Sequence, residues 1–185
     1  SGFPDLDQTF ASVIIPDDAM MNIEVVSSSY IEIENIDVAP SKGNISRMIS
    51  PSDVPFVQGE VYNQNQFYPG KLADLRDPYI LRDFRGQTVV SYPFQYNPVT
   101  KVLRVYTKIV VEVFENGVSN KSVKVRNNNE LTISKEYENI YDSHFINSNA
   151  DTRFSYVVDQ GNMLVVSYGD FMDEMQPFVD WKNMM

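Results

Sequence analysis

A chain of 185 residues with 43% apolar and 12% aromatic side chains can bury one ordinary core, which excludes wholesale disorder. Its formal charge of −10, without any basic stripe, excludes a nucleic-acid binder. The lack of cysteine excludes a disulfide framework, a thiolate metal site and a cysteine nucleophile within these residues, and no run reaches the ~20 apolar residues of a membrane-spanning helix.

Residues 10–15 read as a strand stopped by Pro16-Asp17-Asp18. Strands follow at 23–26 and 30–38. In the second, Ile31 and Ile33 alternate with Glu32 and Glu34, which predicts a half-buried strand. Residues 39–59 carry Pro40, Pro51 and Pro55 among Ser, Gly and Asn, and read as an irregular surface excursion. Phe67-Tyr68-Pro69-Gly70-Lys71 predicts a tight turn with Lys71 at its tip. A strand over 79–85 is expected to end at Gly86. The clearest pair is 87–96 with 102–114, joined by a turn at 97–100. Thr88, Val90, Tyr92, Phe94 and Tyr96 share one face of the first strand. Leu103, Val105, Ile109, Val111 and Val113 share one face of the second and are expected in the core. Pro93 marks an edge or a bulge. Asn116-Gly117 reads as a turn, and 122–125 with 131–133 as further short strands.

Many short strands, turns rich in Pro and Gly, and no intervening helices predict a mainly β protein, an antiparallel β-sandwich of jelly-roll type over 1–133. Helical periodicity begins only late. Tyr137, Ile140, Tyr141, His144 and Phe145 fall at i, i+3, i+4, i+7 and i+8, with Ser134 placed as an N-cap. Residues 134–153 therefore read as a helix and a polar tether ending at Arg153. Met163–Val166 reads as a buried strand, and Pro177 is suited to the first position of a final helix. Residues 154–185 thus resemble the opening strand and helix of an α/β domain. Lacking a sheet of their own, they are expected to be disordered, to dock elsewhere, or to pair with another copy in a homodimer.

Sites of chemistry are scarce. His144 is the sole histidine, so no ordinary zinc site can form, and it reads as a structural residue, with Asp142 as a nearby partner. Glu32 and Glu34 read as solvated strand carboxylates rather than a glycosidase pair. Asp170, Asp173 and Glu174 suit the positive end of a helix. Gly169 alone is no phosphate-binding loop. No catalytic group, metal or cofactor is assigned.

The order of motifs resembles the gingipain-type cysteine peptidases secreted by Gram-negative anaerobes. Gly2-Phe3-Pro4-Asp5-Leu6 is similar to the opening of their propeptides, although Asp7 stands where proline is usual. Phe67-Tyr68-Pro69-Gly70-Lys71 resembles their aromatic-proline loop. Tyr92 to Pro98 and Leu103 to Tyr106 are similar to their most specific hairpin motif. Met163–Val166 and Phe178–Lys182 look like the first strand and helix of their catalytic domain.

The resemblance implies a sandwich prodomain that keeps a cognate cysteine peptidase catalytic domain latent and assists its folding, at the cell surface or in the medium of a Gram-negative bacterium. It implies an inhibitory loop at Tyr68, Pro69, Gly70 and Lys71, whose basic residue enters the enzyme's specificity pocket, with Arg76 as the alternative. It also implies processing between Arg153 and Phe154 by an activating protease. The family's nucleophilic cysteine and its histidine are not in this chain. A different class of function, a β-sandwich module that binds carbohydrate or another surface ligand through exposed Tyr and Trp, is the alternative reading.

Overall fold

The computed structural model describes residues 1–126, 132–150, 155–157 and 163–184. The first sheet is organised around β5 (Phe84–Ser91), which pairs antiparallel with β1 (Thr9–Ile14) along one edge. Along the other edge lie β3 (Ala73–Leu75) and β4 (Tyr79–Leu81). Covered on both faces, β5 buries Phe84, Val89 and Val90, and also Arg85 and Gln87.

Burying polar groups costs free energy unless each finds a partner. Arg85 Nε donates to Ser122 O at 2.9 Å, Nη1 to Pro16 O at 2.8 Å and Ala19 O at 2.7 Å, and Nη2 to Lys121 O at 3.0 Å. Burial pulls the Arg85 pKa down, while Asp18 and Asp17 act against that shift. Gln87 Nε2 donates to Arg76 O at 2.7 Å. Among the described residues, no buried side-chain polar atom lacks a partner.

The second sheet has the order β2-β7-β6, formed by β2 (Ala19–Ile33), β6 (Phe94–Asn97) and β7 (Val102–Val118). The two strands expected at 23–26 and 30–38 are one, interrupted only by register shifts after Val25 and after Ser29. It ends at Ile33, before Asn35 takes a φ of 60°. Ile31 and Ile33 are exposed, not half-buried. Asn116-Gly117 stays inside β7. Gly117, at φ 90°, absorbs the register shift opposite Ala19–Met21, as a bulge does.

The expected hairpin of 87–96 with 102–114 is split between the sheets. Only β6 pairs with β7, Phe94 opposite Val105 and Asn97 opposite Val102. Pro93 has no N–H to offer a ladder, and the chain changes sheets there. Leu103, Val105, Ile109, Val111 and Val113 are half-buried, not core. A period of two reports which side chains share a face, not what covers that face.

The principal apolar cluster lies under the late helix. Ile14, Phe84, Ile133, Tyr141 and Phe145 form it, with Phe84 edge-on to Tyr141 at 4.8 Å between centroids. A 3-10 turn (Lys135–Tyr137) leads into α1 (Glu138–His144), and Ser134 precedes it without a side-chain capping bond. Of the predicted stripe, Tyr141 and Phe145 are buried, whereas Ile140 and His144 are exposed. His144 Nε2 meets the Tyr79 hydroxyl at 2.7 Å rather than Asp142. Gly86 does not end a strand. It sits within β5 because a Cβ there would come within 2.5 Å of the Phe145 ring.

β8 (Thr132–Ser134) and β9 (Ser155–Val157) form a short parallel pair. Residues 122–125 are not a strand, and neither is Met163–Val166, where Leu164 and Val166 are exposed. A strand needs a neighbour to satisfy its backbone, and this run has none among the described residues. The last helix, α2 (Met172–Asn183), starts five residues before Pro177 and carries Asp173 and Glu174 in its first turn. No helix among the described residues is long and apolar enough to cross a membrane.

Replacing Arg85 with Met should leave four carbonyls short of donors, that of Ala19 in a buried setting. Urea unfolding should show a loss of about 2–5 kcal/mol. Lys121→Met, which removes only an exposed pair with Asp77, should shift stability by less than about 1 kcal/mol.

Candidate functional site

The 67–76 loop is held between the two sheets by backbone and by one buried amide. Tyr68 and Tyr96 exchange N–H···O bonds, each 2.9 Å. Gln95, 2% exposed, accepts from Gly70 N at 2.8 Å through Oε1 and donates from Nε2 to Lys71 O at 2.8 Å. The Tyr68–Pro69 peptide is cis, and Gly70 has a φ of 83°, which a Cβ would disfavour. The Phe3 ring stacks on Tyr68 at 5.4 Å. The Arg104 guanidinium lies 3.7 Å from the Phe67 ring centroid and pairs with Glu32 at 2.7 Å, so this loop is also braced against the β2–β7 ribbon. Beside it, Phe3, Asp5, Asp7, Tyr68, Tyr92 and Phe94 line part of a cleft of about 230 Å³.

Lys71 is exposed where the loop turns into β3, as the sequence predicts for a turn tip. Its ammonium is engaged by the Asp74 carboxylate and lies 5.6 Å from the Tyr92 ring centroid. The hydrogen bond to Asp74 raises the Lys71 pKa, and the same bond holds Asp74 below its ordinary 3.8. The signs agree. The stabilisation from Asp74 is present above pH 3.8 and lost as pH falls through its lowered value; that from Lys71 is lost only as pH rises through its raised value, above 10.5. At neutral pH the pair is intact, but an exposed pair is worth only about 0–1 kcal/mol. Asp74 can therefore yield Lys71 to a stronger partner carboxylate.

Arg76 is less free in its backbone. Its N–H donates to Thr88 O at 2.9 Å, its carbonyl accepts from Gln87, and its guanidinium lies 4.8 Å from the Phe10 ring centroid. Arg153 and Phe154, the expected processing site, lie outside the described residues.

A third cation emerges only from the structure. Arg47 is exposed near the tip of a loop pinched by a Lys42 Nζ to Pro51 O bond of 2.7 Å, next to Met48, which is 92% exposed. Among the described residues it has no carboxylate, carbonyl or ring partner. Sequence reasoning passed over it because 39–59 has no periodicity, and an unpaired state is a property of neighbours. Gln95 was likewise invisible, since its two-sided grip depends on where the 70–71 backbone lies. Among the described residues no group of three His, Asp or Glu could hold a metal ion.

The chain belongs to the Propeptide_C25 family, whose profile matches residues 1–149. It is 43% identical to Gingipain R2 of Porphyromonas gingivalis strain W83 over 185 residues, which is 98% of this chain and 25% of that protein. It is 41% identical to Gingipain R1 of the same species over 184 residues, 98% of this chain and 18% of that protein. The chain thus spans a quarter or less of these relatives. Among solved structures, a complex of the RgpB pro- and mature domains from P. gingivalis matches at 43% identity and a TM-score of 0.72, covering 81% of this chain and 74% of that one. A structure addressing zymogenic latency of gingipain K shares the fold, with a TM-score of 0.53 at 23% identity over 63% of this chain and 67% of that one. The mainly β architecture with antiparallel sheets and late helices is therefore that of a gingipain-type propeptide.

Gln95→Leu should loosen the loop while leaving the sheets intact. Trypsin cleavage after Lys71 in the folded chain should accelerate about tenfold, read by intact mass.

Proposed function

We propose that this chain is the inhibitory, folding-assisting prodomain of a gingipain-like cysteine peptidase precursor, together with the first residues of the enzyme. The observation that carries this reading is the shared fold and 43% identity with the pro-domain of a solved pro–mature complex. The chain itself contains no cysteine, so the nucleophile of such an enzyme belongs to a partner catalytic domain. The known relatives come from a Gram-negative bacterium, and the proposed location is the medium or the cell surface of such an organism. The proposed division is prodomain over 1–133, helix and junction over 134–153, and catalytic-domain fragment over 154–185.

The proposed plug is Lys71, presented by Tyr68, Pro69 and Gly70, with Arg76 as the alternative. A rigid loop supports this role, because a cation already positioned loses little freedom on binding. Arg47 is a second reading. Its support is that no partner among the described residues competes for it, whereas Lys71 must leave Asp74. Burying such a cation against a pocket carboxylate makes its loss costly, since the carboxylate is left unpaired.

Titration of the mature enzyme with parent, Lys71→Ala, Arg76→Ala and Arg47→Ala chains separates the three. The variant that removes the plug should weaken inhibition roughly 30- to several-thousand-fold. The rest of the surface should still bind, so inhibition weakens rather than vanishes. Equal inhibition constants for parent and Lys71→Ala would remove Lys71 from the mechanism. A parent chain that does not inhibit at all would remove the prodomain reading itself.

Activation is proposed to occur by cleavage between Arg153 and Phe154, by an activating protease with basic specificity. Limited trypsin digestion followed by intact-mass analysis should give this cut first. Early cleavage at Lys71 or Lys121, with Arg153 protected, would count against the junction.

A further inference from the structure

The strand beyond the proposed junction is held by the prodomain. β9 lies parallel to β8, with Thr132 opposite Ser155, Ile133 opposite Tyr156 and Ser134 opposite Val157. Parallel strands cannot be joined by a tight turn and require a crossover connection. Here the described part of the connection is residues 135–150, anchored along its second half. Tyr141 and Phe145 are buried in the main aromatic cluster. The Asn147 side chain brackets Ile14, accepting from its N–H at 2.7 Å and donating to its carbonyl at 3.0 Å, and Ile146 N donates to Ser12 O at 3.0 Å. On β8, Ile133 is 1% exposed and belongs to the same cluster. Tyr156, opposite Ile133, packs against that cluster from the far side of the junction.

We propose that the edge of β8 and the adjoining aromatic cluster form a strand-addition slot for Ser155–Val157, anchored by Tyr156, which retains the downstream polypeptide on the prodomain after the covalent link is cut. The inference rests on the junction proposed at Arg153. Hydrolysis adds one water across one peptide bond, leaving a carboxylate on one product and an ammonium on the other. It removes neither the three-residue pairing nor the Tyr156 contact, because both lie outside the cut. The slot uses the two ingredients of strand addition, a backbone ladder for affinity and a side-chain seat for register. A three-residue ladder is short, so the aromatic anchor carries most of the retention. Cutting and release are then separate events, and the new N-terminal segment of the enzyme cannot reposition until β9 leaves β8.

The test uses the full-length precursor with 151–154 replaced by the recognition sequence of a highly sequence-specific protease, so that the result does not depend on where the natural cut falls. Hydrogen–deuterium exchange reads protection of 132–134 and 155–157 before and after cutting. Protection should survive the cut in the parent and in Tyr156→Phe. It should fall at least about tenfold in cut Tyr156→Ala. Val157→Pro, which deletes a backbone donor without touching the aromatic cluster, should act in the same direction. Loss of protection in the cut parent overturns the slot, and so does unchanged protection in both Tyr156→Ala and Val157→Pro. Peptidase activity in the same samples separates this inference from latency. Full activity at once, with 155–157 still protected, refutes latency and supports the slot.

Discussion

One guanidinium fixes how the two sheets meet. Arg85, on the central strand of the first sheet, holds the carbonyls of Pro16 and Ala19 where the chain passes from β1 to β2, and those of Lys121 and Ser122 just after β7. Both long strands of the second sheet therefore have an end tied to the first. Arginine suits this position because its planar group carries five donors and stays charged when desolvated. Among the described residues no carboxylate contacts it directly; carbonyl dipoles do the solvating. Arg126 ties the chain nearby in a different way, gripping both Asp17 carboxylate oxygens at 2.5 and 3.0 Å and the Asp83 carbonyl at 2.8 Å.

The same principle extends along the chain to the candidate site. Gln87, Gln95 and Asn97 are buried and, like Arg85, spend their hydrogen bonds on loops: on Arg76 O, on Gly70 and Lys71, and on Asn65 and the 97–100 turn. Buried polar groups that are fully satisfied specify geometry as much as they stabilise it. The backbone of the loop carrying Lys71 is consequently fixed, while its terminal ammonium is held only by an exposed pair with Asp74. In the proposed inhibitory role, such a frame would present the Lys71 charge to a pocket carboxylate without the cost of ordering a loop.

The late helix changes the view of what the prodomain contains. α1 is no appendage, since Tyr141 and Phe145 complete the cluster around Phe84, and Gly86 exists to let Phe145 approach. As the crossover of a parallel pair, it also carries the chain back to β8. The fold thus engages residues on both sides of the proposed junction, which makes covalent cleavage and physical separation distinct steps.

How much of this was legible depends on the range of the interaction involved. The mainly β class, β1, the Lys71 turn, the start of the late helix and the buried positions of Tyr141 and Phe145 followed from local chemistry: period-two and period-3.6 patterns, and Pro-Gly turns. The family was legible because its motifs fall in order along the chain. What the pattern could not supply was the partner of each strand. The run at 87–114 alternates throughout, yet Pro93 divides it between two sheets, and five valine, leucine and isoleucine positions on β7 stay half-buried. Met163–Val166 is as apolar as a buried strand but has no partner strand among the described residues. Asp74, the partner of Lys71, is only three residues away, but the Phe10 ring against Arg76 and the carbonyls that let β5 bury an arginine are distant in sequence. Local periodicity determined the kinds of element present. Only the tertiary structure decided their partners, because hydrogen bonding between elements is set by three-dimensional proximity, which a linear pattern does not encode.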